Sequence, residues 1–231
     1  MSSDRELQIL CLHGFRTNDT VMKFQLQGFQ HAFSQNGAVH FHIPHAPHTA
    51  SGPAHTSILD FFGSGKDYFE WWNYEKRTDT IEIFKNGDLE KSIAYLQEYI
   101  KVHGPFDAIL GFSQGSSLAS LLTATYFKKS EDTGCSMPWK WTIHVSGALV
   151  RDDVYGPMLT NRATPLPVHS LFLIGDDDYL NLRTRELTKI YETSNQHVYC
   201  YPEGHKFPSA RSFATSYSEI ATLIRNHLLE E

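Results

Sequence analysis

The segment Phe106-Asp107-Ala108-Ile109-Leu110-Gly111-Phe112-Ser113-Gln114-Gly115 runs from a short apolar stretch into a serine with glycine two residues before and after it. Ser116 to Phe127 follows, with Leu118, Leu121 and Leu122 at helical spacing. The order predicted is strand, very tight turn, helix. Such a turn forces a strained backbone on Ser113 and lifts its hydroxyl above the sheet. The flanking glycines avoid collisions with the neighbouring strand and helix. The helix N-terminus brings unpaired N–H groups to the same place, where they favour negative charge. G-x-S-x-G alone arises by chance in loops. With a strand before it and a helix after it, the pattern makes Ser113 a predicted nucleophile.

Strand and helix alternate on both sides of this turn. Leu7 to Leu12 is an apolar run that breaks at His13-Gly14, as a buried strand does. A helix is predicted around Phe24 to Gln35, with Phe29, Ala32 and Phe33 on one face and Gly37 as its stop. Val39, Phe41 and Ile43 alternate with His40 and His42, the period of a second strand. Residues 44 to 80 hold prolines, glycines and an aromatic cluster without a clean period, and predict an irregular excursion. Leu89, Ile93, Leu96 and Ile100 restore helical spacing up to Gly104-Pro105. Trp141 to Val145, Leu171 to Ile174 and His197 to Tyr201 read as strands, and roughly 183–193 as a helix between the last two. Phe213, Tyr217, Ile220 and Ile224 mark a closing helix. The alternation predicts an α/β fold, a mostly parallel central sheet with helices on both faces. With the elbow, it predicts the α/β-hydrolase fold.

That fold carries its triad in the chain order Ser, acid, His. Leu171 to Ile174 runs into Gly175-Asp176-Asp177-Asp178, which puts three aspartates at the carboxyl end of a predicted buried strand. Spacing alone does not choose among them. His205 stands in Tyr201-Pro202-Glu203-Gly204-His205-Lys206, after the last strand and before the closing helix, where the base is expected. In this chemistry the histidine takes the serine's proton, and the acid fixes its tautomer. Backbone N–H donors then hold the oxyanion. The expected donors are Gln114, after the nucleophile, and one from His13-Gly14-Phe15 after the first strand, taken as Phe15. His13 itself is expected to order that loop.

The remaining composition narrows the partners. At 231 residues the chain fits one domain, with 41% hydrophobic and 20% charged residues and a formal net charge of −6. It has no basic stripe for nucleic acid and no apolar run long enough for a signal peptide or a membrane span. Cys11, Cys135 and Cys200 are scattered and odd in number, so neither a disulfide framework nor a thiolate metal site is indicated. A cytoplasmic protein without cofactor is expected. His40, His42, His45, His48 and His55 invite a metal reading. No second group of ligands accompanies them, and no metal is expected. Phe61, Phe62, Tyr68, Phe69, Trp71, Trp72 and Tyr74 crowd the excursion. Most are expected to pack beneath it, and Phe69, Trp71 and Trp72 are candidates for lining an acyl pocket.

Four passages together resemble the FSH family of serine hydrolases: Leu10 to Arg16, Gly104 to Gly115, Leu171 to Asp178 and Gly204-His205-Lys206-Phe207-Pro208. The likeness runs from about residue 7 to 208. In that family the acid falls three residues after the glycine of the acid strand, and the resemblance therefore implies Asp178. It also implies an α/β-hydrolase without a large lid, acting on a small-molecule carboxylic ester or thioester. Tyr179-Leu180-Asn181-Leu182 departs from the family's usual valine- and proline-rich turn, and Glu203 adds a negative charge beside the histidine loop. Set against an esterase or thioesterase is a binding module that holds a hydrophobic ligand without turning it over. Ser, Asp and His in the expected order favour the enzyme.

Overall fold

A computed structural model describes residues 5–76, 82–84 and 88–230, so residues 77–80 of the expected excursion lie outside the described residues. The chain opens with β1 (Leu7–Leu12), α1 (Asp19–Gln25), α2 (Gln27–Gln35) and β2 (Val39–His42). The excursion holds β3 (His48–Thr49), α3 (Thr56–Phe62), β4 (Phe69–Glu70) and β5 (Tyr74–Lys76), which pairs with β6 (Glu82–Phe84). Then come α4 (Asp88–His103), β7 (Ala108–Phe112), α5 (Gln114–Thr133), β8 (Trp141–Val145) and α6 (Gly156–Thr160). The last elements are β9 (His169–Gly175), α7 (Asn181–Thr188), β10 (Gln196–Tyr201) and α8 (Ala214–Glu230).

Six strands form one sheet in the order β10-β9-β8-β7-β1-β2, and every neighbouring pair is parallel. Because side chains alternate along a strand, each strand feeds two cores. Leu10, Leu12, Ile109, Phe172 and Ile174 join one core with Leu89, Ile93 and Leu96 of α4 and Leu118, Leu121 and Leu122 of α5. Ile9, Cys11, Leu110, Ile143 and Leu173 join the other with Phe29 and Phe33 of α2 and Tyr217, Ile220 and Ile224 of α8. Helices therefore cover both faces. No helix among the described residues is long and apolar enough to cross a membrane.

Three local readings differ from the sequence expectation. The helix predicted from Phe24 to Gln35 is two helices meeting at Leu26, whose amide caps α1 while its carbonyl starts α2. The excursion contains the short helix α3, capped by His55, which accepts from the Ser57 amide. The helix expected to reach 193 ends at Thr188, because Leu166 and Ile190 to Glu192 exchange backbone hydrogen bonds instead.

What positions the site is the strand order. From β1 the chain steps to β2 on one side, and later returns to β7 on the other. The loops leaving β1 and β7 thus diverge across a crevice at the carboxyl edge of the sheet, where ligands of open α/β sheets bind.

Candidate active site

Ser113 sits in that crevice, between β7 and α5. Its backbone lies at φ 52 and ψ −115, a conformation that costs an L-residue energy. The turn is this tight because strand and helix nearly touch. A Cβ at Gly111 would collide with the Gly115 carbonyl and the Ser116 amide, and one at Gly115 with the Leu12 carbonyl. The Ser113 amide is tied to the Val145 carbonyl of β8 at 2.9 Å. The side chain makes no cap hydrogen bond to α5, so the hydroxyl stays available.

That hydroxyl meets His205, whose Nε2 lies 2.9 Å from Ser113 Oγ. On the far side of the ring, Nδ1 lies 3.0 and 3.1 Å from the two carboxylate oxygens of Asp178. Of the three consecutive aspartates, Asp178 alone is buried and reaches the histidine, while Asp176 and Asp177 face water. Burial pushes the Asp178 carboxyl up. Hydrogen bonds from His205, Ser146 and the Leu180 amide outweigh it and hold the pKa below the usual carboxylate value. The group is ionised at neutral pH. With the carboxylate against Nδ1, the ring carries its proton there and presents Nε2 to the serine as an acceptor.

The loop carrying His205 is braced at three points. Tyr201 donates from its hydroxyl to the Lys206 carbonyl at 2.6 Å, and Tyr217 donates to the Pro208 carbonyl at 3.0 Å. Glu203 accepts from the Ser209 amide at 3.1 Å and pairs with Lys206 at 2.8 Å. The carboxylate flagged by the sequence as an extra charge beside the site is thus used within its own loop.

The loop after β1 is held as firmly. His13 is fully buried; its Nε2 accepts from the Ala46 amide at 3.0 Å, which leaves Nδ1 to donate to the Gly14 carbonyl at 2.8 Å. Trp71 donates from its indole to the His13 carbonyl at 2.8 Å. The Gln114 side chain bridges the excursion to the elbow, accepting from the Trp71 amide at 2.9 Å and donating to the Trp72 carbonyl at 2.8 Å. Arg16 lies over the Phe15 ring at 4.6 Å and bonds the buried Glu70 carboxylate at 3.1 Å. Arg16→Ala would strand that carboxylate without its cation. It is expected to lower the unfolding free energy by about 3 kcal/mol in urea melts, and Arg16→Ala with Glu70→Leu to recover most of the loss. A single variant as stable as wild type would show that the pair does not hold the loop.

A cleft of about 180 Å³ opens beside Ser113, lined by Phe15, Trp72, Gln114, Leu149, Tyr179, Arg151 and Arg183 among others. Of the three aromatic candidates for a pocket, Trp72 lines it. Trp71 is fully buried, with its indole committed to His13, and Phe69 packs against His45 at 4.8 Å. Trp71 lies beneath the site because a buried indole N–H needs an acceptor and the His13 carbonyl supplies one. The two arginines were not singled out by sequence reasoning, since isolated basic residues on a helix and a loop carry no motif.

The histidines from 40 to 55 are not gathered into one site, although the His40 and His42 rings lie 4.3 Å apart. His42 pairs with Gln8 at 2.7 Å, His48 with the Asp88 carbonyl at 2.9 Å, and His55 caps α3. Among the described residues no three His, Cys, Asp or Glu side chains are grouped to hold a metal ion.

The chain is similar to known hydrolases in both sequence and fold. It is 26% identical over 226 residues to an uncharacterized hydrolase of Schizosaccharomyces pombe, covering 92% of this chain and 50% of that protein. It thus spans about half the length of the fission-yeast relatives it matches. It is 25% identical over 225 residues to human Esterase OVCA2, covering 94% of this chain and 96% of that one. Among solved structures, a carboxylesterase from Mesorhizobium loti superposes with a TM-score of 0.58 at 15% identity, covering 100% of this chain and 90% of the other. That likeness shows the α/β-hydrolase fold. The model of the family described as serine hydrolase (FSH1) matches residues 1–217, and the chain belongs to that family.

Proposed function

We propose that this protein hydrolyses small carboxylic esters or thioesters through an acyl-enzyme formed on Ser113. The observation that carries the reading is the continuous relay from the buried Asp178 carboxylate through His205 to a strained serine hydroxyl 2.9 Å away. A binding module gains nothing from holding a serine at φ 52 beside an ionised acid and a histidine.

In this reading Ser113 Oγ attacks the acyl carbon while its proton passes to His205 Nε2. Asp178 stabilises the imidazolium and keeps the ring's orientation. The carbonyl oxygen becomes an oxyanion facing the Gln114 and Phe15 backbone N–H groups, one at the free N-terminus of α5 and one on the loop that Arg16 and His13 hold rigid. His205 returns the proton to the leaving alcohol or thiol. Water, deprotonated by the same nitrogen, then releases the acid and restores the serine. Neither step calls on a cofactor.

The test is mass spectrometry of the protein quenched during turnover of a 4-nitrophenyl ester series from acetate to long acyl chains. A single acyl adduct on the peptide containing Ser113 is expected. Turnover with the adduct on another residue would overturn the assignment.

A further inference from the structure

The cleft beside Ser113 holds a charge pattern that hydrolysis of a neutral ester does not use. Arg151 and Arg183 both line it, and no Asp or Glu side chain is among its lining residues. This stands against the chain as a whole, which carries a formal net charge of −6. Arg183 is half-buried on α7 and has no ion pair or side-chain hydrogen bond among the described residues. Arg151 reaches Glu186 at 3.6 Å, with both side chains more than half exposed. Two acids close to these arginines in sequence are engaged elsewhere. Asp178 faces His205, and Asp152 accepts from the Val154 and Tyr155 amides at 2.8 Å. A guanidinium on the cleft wall without a counter-charge can pair with an incoming anion. Its planar fork matches two oxygens of a carboxylate or phosphate.

We infer that the preferred substrate carries an anionic group, a carboxylate or phosphate, on the arm that lies in this cleft, with Arg183 as the specificity-determining residue and Arg151 as its support. The inference rests on the proposed ester hydrolysis at Ser113. The apolar walls, Phe15, Trp72 and Leu149, hold the chain between the reacting carbonyl and the charge.

Two matched pairs of substrates test it. The first is 4-nitrophenyl hydrogen glutarate against 4-nitrophenyl pentanoate, which places a carboxylate or a methyl group at the end of the same acyl chain. The second is butanoyl glycerol phosphate against butanoyl glycerol, which places the anion on the alcohol arm. In one pair the anionic member is expected to have a kcat/KM about tenfold higher in dilute buffer, through KM, with the ratio falling towards one in 1 M NaCl. Which pair shows it tells on which arm the charge sits. Arg183→Met should bring that ratio to about one, and Arg183→Lys should restore part of it. Neutral esters favoured in both pairs, or a ratio unchanged in Arg183→Met, would overturn the inference. If the neutral esters turn over with the adduct on Ser113 and no charge preference appears, only the charge inference falls. If no ester of either pair is hydrolysed, and neither the acetate-to-long-chain ester series nor the matching acyl thioesters turn over, the proposed function falls and takes this inference with it.

Discussion

Ser113→Ala is expected to lower kcat/KM by about 10⁴-fold or more on any ester the wild type turns over, with the thermal midpoint unchanged. The size follows from the geometry. His205, held and stabilised by Asp178, serves an acyl-enzyme that only the Ser113 hydroxyl can form, so deleting that one atom silences all three. The fold should not notice, because the hydroxyl's partner is His205 and alanine keeps the same strained backbone. Ser113→Gly separates the two properties. It removes the hydroxyl and also the Cβ that makes φ 52 costly. Relief of strain of about 1–3 kcal/mol, less roughly 0.5–1 kcal/mol for the added freedom of the unfolded chain, leaves a net gain of about 1 kcal/mol. An inactive variant that melts several degrees above wild type is therefore expected. A glycine variant no more stable than wild type would mean that the elbow is not strained, and an active alanine variant would remove Ser113 from the chemistry.

Much of the site's placement was legible because its determinants are local. The elbow is written in Gly111, Ser113 and Gly115, since strand and helix approach too closely there for any side chain. The alternation of Val39, Phe41 and Ile43 marks a strand for the same kind of reason. Other features depend on what comes near in space. Spacing offered three aspartates and the family resemblance pointed to Asp178; the physical reason is the turn after β9, which folds it under the His205 loop and leaves Asp176 and Asp177 in water. Trp71 and Trp72 are neighbours in sequence with opposite uses, one pinned beneath the site by an indole hydrogen bond and one on the cleft wall. The break at Leu26 was hidden because apolar spacing continues across it. Nor did any pattern reveal that Ser116, His144 and Tyr191 lie in one buried chain of hydrogen bonds beneath the elbow, at 2.9 Å each.

That buried chain and the loop histidine lead to the second large effect, a steep loss of stability on mild acidification. Burial pushes the His144 pKa down to about 3 and that of His13 down to about 4, against the partial opposition of hydrogen bonds to Ser116 and Gly14. In the unfolded chain both imidazoles take protons near pH 6.5. Between there and pH 4 the unfolded state binds more protons than the folded one, so unfolding free energy rises with pH. The contribution is complete above about pH 6.5 and is lost as pH falls. Each histidine supplies a slope of up to about 1.4 kcal/mol per pH unit, and the two together about 2.7. From pH 6.5 to 4.5 the loss is on the order of 5 kcal/mol, comparable to the whole stability of many domains. The carboxylates held low, Asp178 and Glu203, contribute above their unfolded values and lose that contribution only at lower pH. Urea melts at half-unit steps from pH 7 to 4.5 should therefore be dominated by the histidine slope. His144→Gln keeps a polar partner for Ser116 and Tyr191 but cannot titrate. It should start less stable at pH 7 and lose stability with acid at about half the wild-type slope. An unchanged slope in that variant would mean that His144 takes up its proton in the folded protein as readily as in the unfolded chain.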